Sequence, residues 1–409
     1  MSLASRRVGP LASRTGRVGA LGTVFLAWLW LMAGANLAAP LYQQYAQEFG
    51  FPTIVLTTVF AMYAVTLVFT LLTCGRLADR FGRRPVITSG LGIGVVALLV
   101  FAAATSPLWL YAARALQGVA VGLVSGPATA ALVELDPDPE GGRPALLAGL
   151  AQAVGSGTGP LLAGVVAQLA PAPLHLSFLV VAAVTVAWAV LVWRVPEPGE
   201  RSDEPWRMQW PRVPSAIRAD FWRLGLTAGL VWASLALYLS VVPSYVAELL
   251  DTDNLALIGA NSALACFASA LTQIAAHHRP TPRRTTQAVG LAVLSAGLVL
   301  LVVSASLHAI ALVLLAALVI GVGHGATFVR TQDELNALAP PANRGEVSAG
   351  FVCCIYALVG GAVVGVGLLD EALPLTGSVQ VVGALLAAAS LAAGVWQWEK
   401  GWAQRDSNP

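Results

Sequence analysis

Long apolar runs alternate with short polar stretches along the entire chain. The runs fall at 21–45, 53–74, 86–105, 108–133, 144–168, 175–195, 219–248, 256–277, 286–306, 308–332, 346–369 and 376–398. Each is close to the roughly 20 residues a helix needs to cross the hydrocarbon of a bilayer, so the pattern predicts twelve transmembrane helices. Short gaps such as Ser106-Pro107 and Pro171-Ala172-Pro173 separate hairpin partners. The longest hydrophilic stretch, 196–218, carries Pro196, Pro198, Pro205, Pro211 and Pro214. It divides the spans into two equal sets, the layout of a duplicated transporter. The expected fold is an all-α membrane protein with two pseudo-symmetric six-helix bundles. The domain reading is a basic tail at 1–20, bundles at 21–195 and 219–398, a linker at 196–218 and a second tail at 399–409.

Composition agrees with lipid as the main solvent. The 409 residues are 57% hydrophobic and 11% charged, against about 25% charged in soluble chains. A net charge of +2 gives no case for nucleic-acid binding by bulk electrostatics. The four cysteines (Cys74, Cys266, Cys353, Cys354) sit inside apolar runs without a Cys-x-x-Cys, and read as small apolar side chains. No Gly-x-Ser-x-Gly, no Gly-Lys-Ser/Thr phosphate loop and no His-Glu-x-x-His occurs. ATP-driven transport needs a nucleotide domain, and no soluble segment is long enough for one. The expectation is a non-enzyme with neither cofactor nor metal. The basic residues 1–20 followed by 21–45 have the outline of a secretory signal, but the further spans point to a retained first helix.

Charge placement sets an orientation. When loops are counted alternately, 22 of the 23 Lys/Arg residues fall on the side of the termini and none in the opposite loops; Arg114 lies inside a span. Positive loops stay in the cytoplasm, which predicts both termini there, in the cytoplasmic membrane of a prokaryote.

The sharpest stretch is Gly75-Arg76-Leu77-Ala78-Asp79-Arg80-Phe81-Gly82-Arg83-Arg84, between the second and third spans. Four arginines and an aspartate cannot remain in hydrocarbon, so this is a tight loop at the surface. Gly75 and Gly82 suit a sharp turn or a close helix approach, and Asp79 and Arg83 suit helix ends of opposite polarity. The stretch resembles the cytoplasmic loop motif of the major facilitator superfamily without a gap. The resemblance implies a twelve-helix transporter working by alternating access. It also implies a conformational latch in which Arg83 pairs with Glu134, at the end of the fourth span beside Asp136. Asp79 would sit at the start of the eleventh helix. Read as residues alone, Glu134 and Asp136 are equally two solvated acids.

Inside the fourth span stand Arg114, Gln117, Gly118 and Gly122. A charge there is costly and faces a cavity or partner, or snorkels to the nearer surface about 9 Å away. Arg-x-x-Gln-Gly is similar to the second signature motif of the family, which implies a cavity-facing arginine in coupling or substrate binding. The fifth span holds Gly155-Ser156-Gly157-Thr158-Gly159-Pro160-Leu161-Leu162-Ala163-Gly164. Small residues at this spacing let backbones pack closely, and Pro160 bends or hinges a helix. The stretch resembles the antiporter motif of drug:proton exporters, with Ala163 in place of one glycine. Asn36-Leu37-Ala38-Ala39-Pro40 resembles a further exporter motif more loosely, with Leu31 where an aspartate often stands. Asn36, Tyr42, Gln43, Gln44 and Tyr45 are polar groups fit to line a cavity, or for the tyrosines an interfacial belt.

The second half carries fewer signals. His277-His278 without a carboxylate or thiolate makes a poor metal site. His324, among Gly321, Gly323 and Gly325, is either a group that changes charge near neutral pH or a packed neutral imidazole. Arg330 with Asp333 or Glu334 forms a pair at helical spacing. Gly360, Gly361, Gly365 and Gly367 read as a small-residue face mirroring the fifth span. The resemblance implies secondary-active export of a small, amphipathic molecule in exchange for protons, by a monomer in the lipid bilayer. Uptake of a small metabolite by symport or uniport is the alternative.

Overall fold

The computed structural model describes residues 14–75, 77–138, 142–199, 213–279, 281–340 and 344–406. Residues 1–13 of the expected tail, Arg76 of the loop motif, 201–212 of the linker and 407–409 lie outside the described residues. The long helices are α1 (Arg14–Asn36), α2 (Thr53–Cys74), α3 (Arg83–Ala102), α4 (Pro107–Leu135), α5 (Arg143–Leu169), α6 (Pro173–Arg194), α7 (Arg218–Ser240), α8 (Leu255–His277), α9 (Arg283–Leu307), α10 (Ile310–Leu338), α11 (Arg344–Leu369) and α12 (Leu375–Asp406). Twelve segments among the described residues are long and apolar enough to cross a membrane. Pro107 and Pro173 open α4 and α6, where the missing N–H costs nothing because the first helical amides have no partner.

Two spans that read as continuous are broken. α1 stops at Asn36, a 3-10 turn follows at Ala39–Leu41, and a short helix spans Tyr42–Phe49 until Gly50. α7 stops at Ser240, and a short helix spans Val242–Leu250 until Asp251. Gly50 and Asp251 both end their helices in the left-handed region, at φ 66° and 47°. The pattern is the same in each half. Each break falls just before or at a proline, Pro40 and Pro243, which has no amide to give the carbonyl four residues earlier.

The halves meet along two pairs, α5 with α8 and α2 with α11. α5 is wedged between α1 and α8, and its glycines make that possible. A Cβ on Gly155 or Gly159 would fall on α1, against the carbonyl oxygens of Leu29 and Ala33. One on Gly157 or Gly164 would fall on α8, against Cys266 and the Leu255 carbonyl. Gly259 of α8 lies in turn on the Pro160 carbonyl. Gln168 of α5 accepts from the Leu255 amide at 2.9 Å at one end of the seam.

The eleventh helix does not mirror this. A Cβ on Gly360, Gly361 or Gly365 meets nothing within 4 Å, and only Gly367 is tightly opposed, by Thr57. The close approach of α11 to α7 uses glycines of the partner helix, Gly225 against Cys354 and Gly229 against Leu358. Spacing alone cannot say which of two packed helices supplies the gap.

Near the face that carries the arginines, the second half is tied by a buried ionic cluster. Arg223 of α7 contacts Glu334 of α10, Gln287 of α9 at 3.2 Å and Gln397 of α12 at 3.4 Å. Gln287 donates to Glu334 at 2.9 Å, and Arg284 stands 3.8 Å from Glu334. Glu334 thus pairs with Arg223, while Arg330 takes Asp333 at 3.2 Å. Glu334→Ala would leave the Arg223 side chain, 5% exposed, with the half-exposed Asp220 at 3.3 Å as its remaining acid. We expect a loss of about 3 kcal/mol, seen as a lower melting temperature in detergent, with Glu334→Asp retaining much of it. Large apolar side chains such as Val65, Phe69, Leu108, Leu271 and Leu385 cover the outside of the helices, as a lipid-facing surface requires.

Candidate transport site

The broken end of α1 and the charge on α4 form one unit. A helix end leaves its last carbonyls without helical partners and carries partial negative charge. Arg114, two turns into α4, donates from Nη1 to the Ala35 carbonyl at 2.7 Å and to Gln117 Oε1 at 2.9 Å. Gln117 donates from Nε2 to the Gly34 carbonyl at 3.0 Å. The break beside Pro40 therefore supplies an acceptor for a guanidinium inside the membrane. Arg114 is 2% exposed, which rules out snorkelling to the surface in this conformation. It has no carboxylate partner among the described residues. Its Nε is buried and without a hydrogen-bond partner.

Aromatic rings complete the surroundings. The guanidinium lies 4.8 Å from the ring centroids of both Phe60 and Tyr63 on α2, a range in which ring faces attract cations. The Tyr63 hydroxyl is 3.4 Å from that of Tyr356 on α11, so the group around Arg114 reaches the other half of the molecule. Phe60, Tyr63 and Tyr356 escaped the sequence reading, because aromatic residues in apolar spans carry no signal of their own. Tyr42 and Tyr45 are both 1% exposed. Tyr45 donates to the carbonyls of Phe101 and Leu174 at 3.3 Å, a packing role that belongs to neither a cavity wall nor an interfacial belt.

Asn36 ends α1 and ties it to α5, donating to Met32 O at 3.0 Å and Ser156 Oγ at 3.1 Å. Gly155, Gly159, Pro160 and Gly164 lie along that same helix, at the contacts described above. His324 is placed apart from Arg114, in the second half. Its Nδ1 is 2.8 Å from Ser269 Oγ, which also accepts from Gln273 at 3.2 Å. Trp232 meets the imidazole edge-on at 4.9 Å and Phe328 stacks at 5.6 Å. His324 Nε2, the Trp232 indole N–H and both polar atoms of the Asn261 side chain are buried without partners.

The loop motif closes on itself in the first half. Arg83 joins Asp79 at 2.7 Å and Glu134 at 3.2 Å. Asp79 is thus engaged by the guanidinium four residues along, and residues 341–343, which precede α11, lie outside the described residues. Glu197, from the start of the linker, accepts from the amides of Arg83 and Arg84 at 2.5 and 3.3 Å and caps α3. Gly82 permits this: its φ is 99°, and a Cβ there would strike the Glu197 carboxylate. Gly75 has an ordinary helical φ of −55°. Asp136 is buried rather than solvated and accepts from the Asp138 amide at 2.9 Å.

A family model for the Major Facilitator Superfamily matches residues 23–365. The chain belongs to the major facilitator superfamily. Its transporter fold extends to solved structures of low identity. A mutant of the nucleoside transporter NupG superposes with a TM-score of 0.69 at 13% identity, covering 93% of this chain and 99% of that one. The human organic anion transporter MFSD10 (TETRAN) gives a TM-score of 0.69 at 15% identity, with 93% and 99% coverage. No curated protein matches the sequence. The family and the twelve candidate spans mark the chain as a multi-pass membrane transporter.

Proposed function

We propose that this member of the superfamily is a secondary-active exporter of a small amphipathic molecule, working by alternating access in exchange for protons. The observation that carries the reading is the Arg114–Gln117 clamp on the broken end of α1, a fixed charge held among aromatic rings that reach both halves. Export is supported by the 155–164 stretch. Its glycines pack against α1 on one side and α8 on the other, the seam along which the halves have to move. In this reading the arginine-rich face is cytoplasmic, the protein is a monomer in the cytoplasmic membrane of a prokaryote, and the energy source is the proton gradient rather than a cofactor. His324 is the proton's seat in this reading, since it is the one imidazole deep in a span and its Nε2 is buried without a hydrogen-bond partner. Asp79, Arg83 and Glu134 act as the latch that reports the position of the loop to α4.

The test is transport in proteoliposomes under an imposed pH gradient. A panel of fluorescent amphipathic compounds is expected to move against its own gradient when the proton gradient is opposed, and to stop moving with a protonophore. His324→Gln is expected to retain downhill exchange and lose gradient-driven accumulation. Transport of one metabolite in the inward direction, indifferent to the protonophore, would overturn export in favour of uptake.

A further inference from the structure

We infer that the transported molecule is an anion, seated by its negative group on Arg114. This rests on the transporter reading above and narrows its substrate class.

The argument begins with where the charges are not. The chain has 21 Asp and Glu residues. Every one that falls within a span lies within about five residues of the span's end, one and a half helical turns. Among the described residues three cations lie deeper than that, and Arg223 and Arg330 are paired with acids while Arg114 is not. A buried arginine is ordinarily met by a carboxylate. Here Nη1 engages only the Ala35 carbonyl, with its partial charge at the end of α1, and the side-chain oxygen of Gln117. Nε has a hydrogen to donate, is buried and has no acceptor. A planar guanidinium with an unused donor edge matches carboxylate, sulfonate or phosphate oxygens. Phe60 and Tyr63, at 4.8 Å, offer apolar surface for the rest of an amphipathic anion.

An independent observation concerns the far face. On the side opposite the arginine-rich loops the chain carries Glu48, Glu248, Asp251, Asp253, Asp370 and Glu371, and no Lys or Arg. Four of these acids (Glu248, Asp251, Asp253, Asp370) line a recess of about 530 Å³ between the two halves. The bias of Lys and Arg to one face follows from membrane insertion, but Asp and Glu take little part in that bias. The acidic recess needs another reason. For a cation exporter it would gather the released product back to the mouth. For an anion it lowers the local concentration and disfavours rebinding, while the arginine-rich face attracts the substrate. Both fields point the same way, from the basic face to the acidic one.

The experiment is equilibrium binding to the purified full chain, followed by transport in oriented proteoliposomes. The probes are small aromatic carboxylates, sulfonates and phosphate esters, each with its isosteric alcohol and trimethylammonium analogue. The expected result is that anions bind at least tenfold more tightly than either isostere. Arg114→Gln removes the preference, and Arg114→Lys keeps part of it. Because the charge series is run on the unaltered protein, the outcome does not depend on a variant that folds poorly. In the second arm, Asp251→Asn, Asp253→Asn and Asp370→Asn are combined. Anion applied from the acidic face is expected to bind several-fold better than to the unaltered protein, with the gain shrinking as salt is raised. Equal or tighter binding of the cations, or no saturable anion binding, overturns the inference. Cation transport driven by the proton gradient would do so while leaving the exporter reading intact. Anion binding without any transport would retain the anion seat on Arg114 and reject that reading.

Discussion

Arg114→Gln is expected to lower transport at least 100-fold while leaving a folded, membrane-inserted protein. The side chain donates to Ala35 O and Gln117 Oε1, and bonds to a charged donor contribute about 1.5–3 kcal/mol each. Losing two of them costs roughly 3–6 kcal/mol at the clamp, enough to loosen the end of α1. Glutamine spans part of the gap and leaves Gln117 on the Gly34 carbonyl, so the fold of the first half is retained. Arg114→Lys retains charge without the planar fork and reaches one acceptor at a time. Its transport is expected to fall about tenfold. Initial rates in proteoliposomes, normalised to inserted protein, check both values. A melting temperature in detergent separates lost function from lost fold. Equal rates for the unaltered protein and Arg114→Gln would remove the clamp from the mechanism.

The other large effect is expected at the seam. Gly259→Val places a branched side chain where the Pro160 carbonyl and the Gly164 backbone already stand. Backbone atoms on both sides cannot swing away as a flexible side chain would, so α5 and α8 must separate. Overpacking of this kind costs about 3 kcal/mol, and separating the halves along one of their two main contacts should stop transport. Gly360→Val on α11 is the matched control. A Cβ there meets nothing within 4 Å, and removing a mid-helix glycine gains a few tenths of a kcal/mol of helix propensity. Expected results are a much lower melting temperature and no transport for the first, and near-native values for the second. Equal behaviour of the two would mean that the glycines of α5 and α8 do not set the approach of the halves.

The two predictions depend on different kinds of information. The existence of twelve spans, their near-equal division and the nature of the loop at 75–84 were legible in the linear pattern. Hydrocarbon forces each crossing segment to be apolar for about 20 residues and to satisfy its own backbone, so length and polarity alone report it. Arg114 was visible for the same reason, since a charge inside such a run stands out against everything around it. The family motifs marked Asn36, Gln117 and the 155–164 glycines as well, although not what each one touches.

Only the tertiary structure decided the partners. That α1 ends near Pro40, where Arg114 can take up the Ala35 carbonyl, joins residues more than 70 positions apart, and no local period encodes it. Phe60 and Tyr63 differ from lipid-facing aromatics only by the direction in which they point. Asp79 pairs with Arg83 four residues along, within its own loop. Glu334 was within helical reach of Arg330 and instead crosses to Arg223 on α7. Gly360, Gly361 and Gly365 of α11 read as a small-residue face like that of α5 and meet open space. In each instance, what a residue can do follows from its own chemistry and its place in a span. What it does is set by the neighbouring helix, because helix packing is chosen by the fit of two surfaces and the sequence of one helix describes only half of that fit.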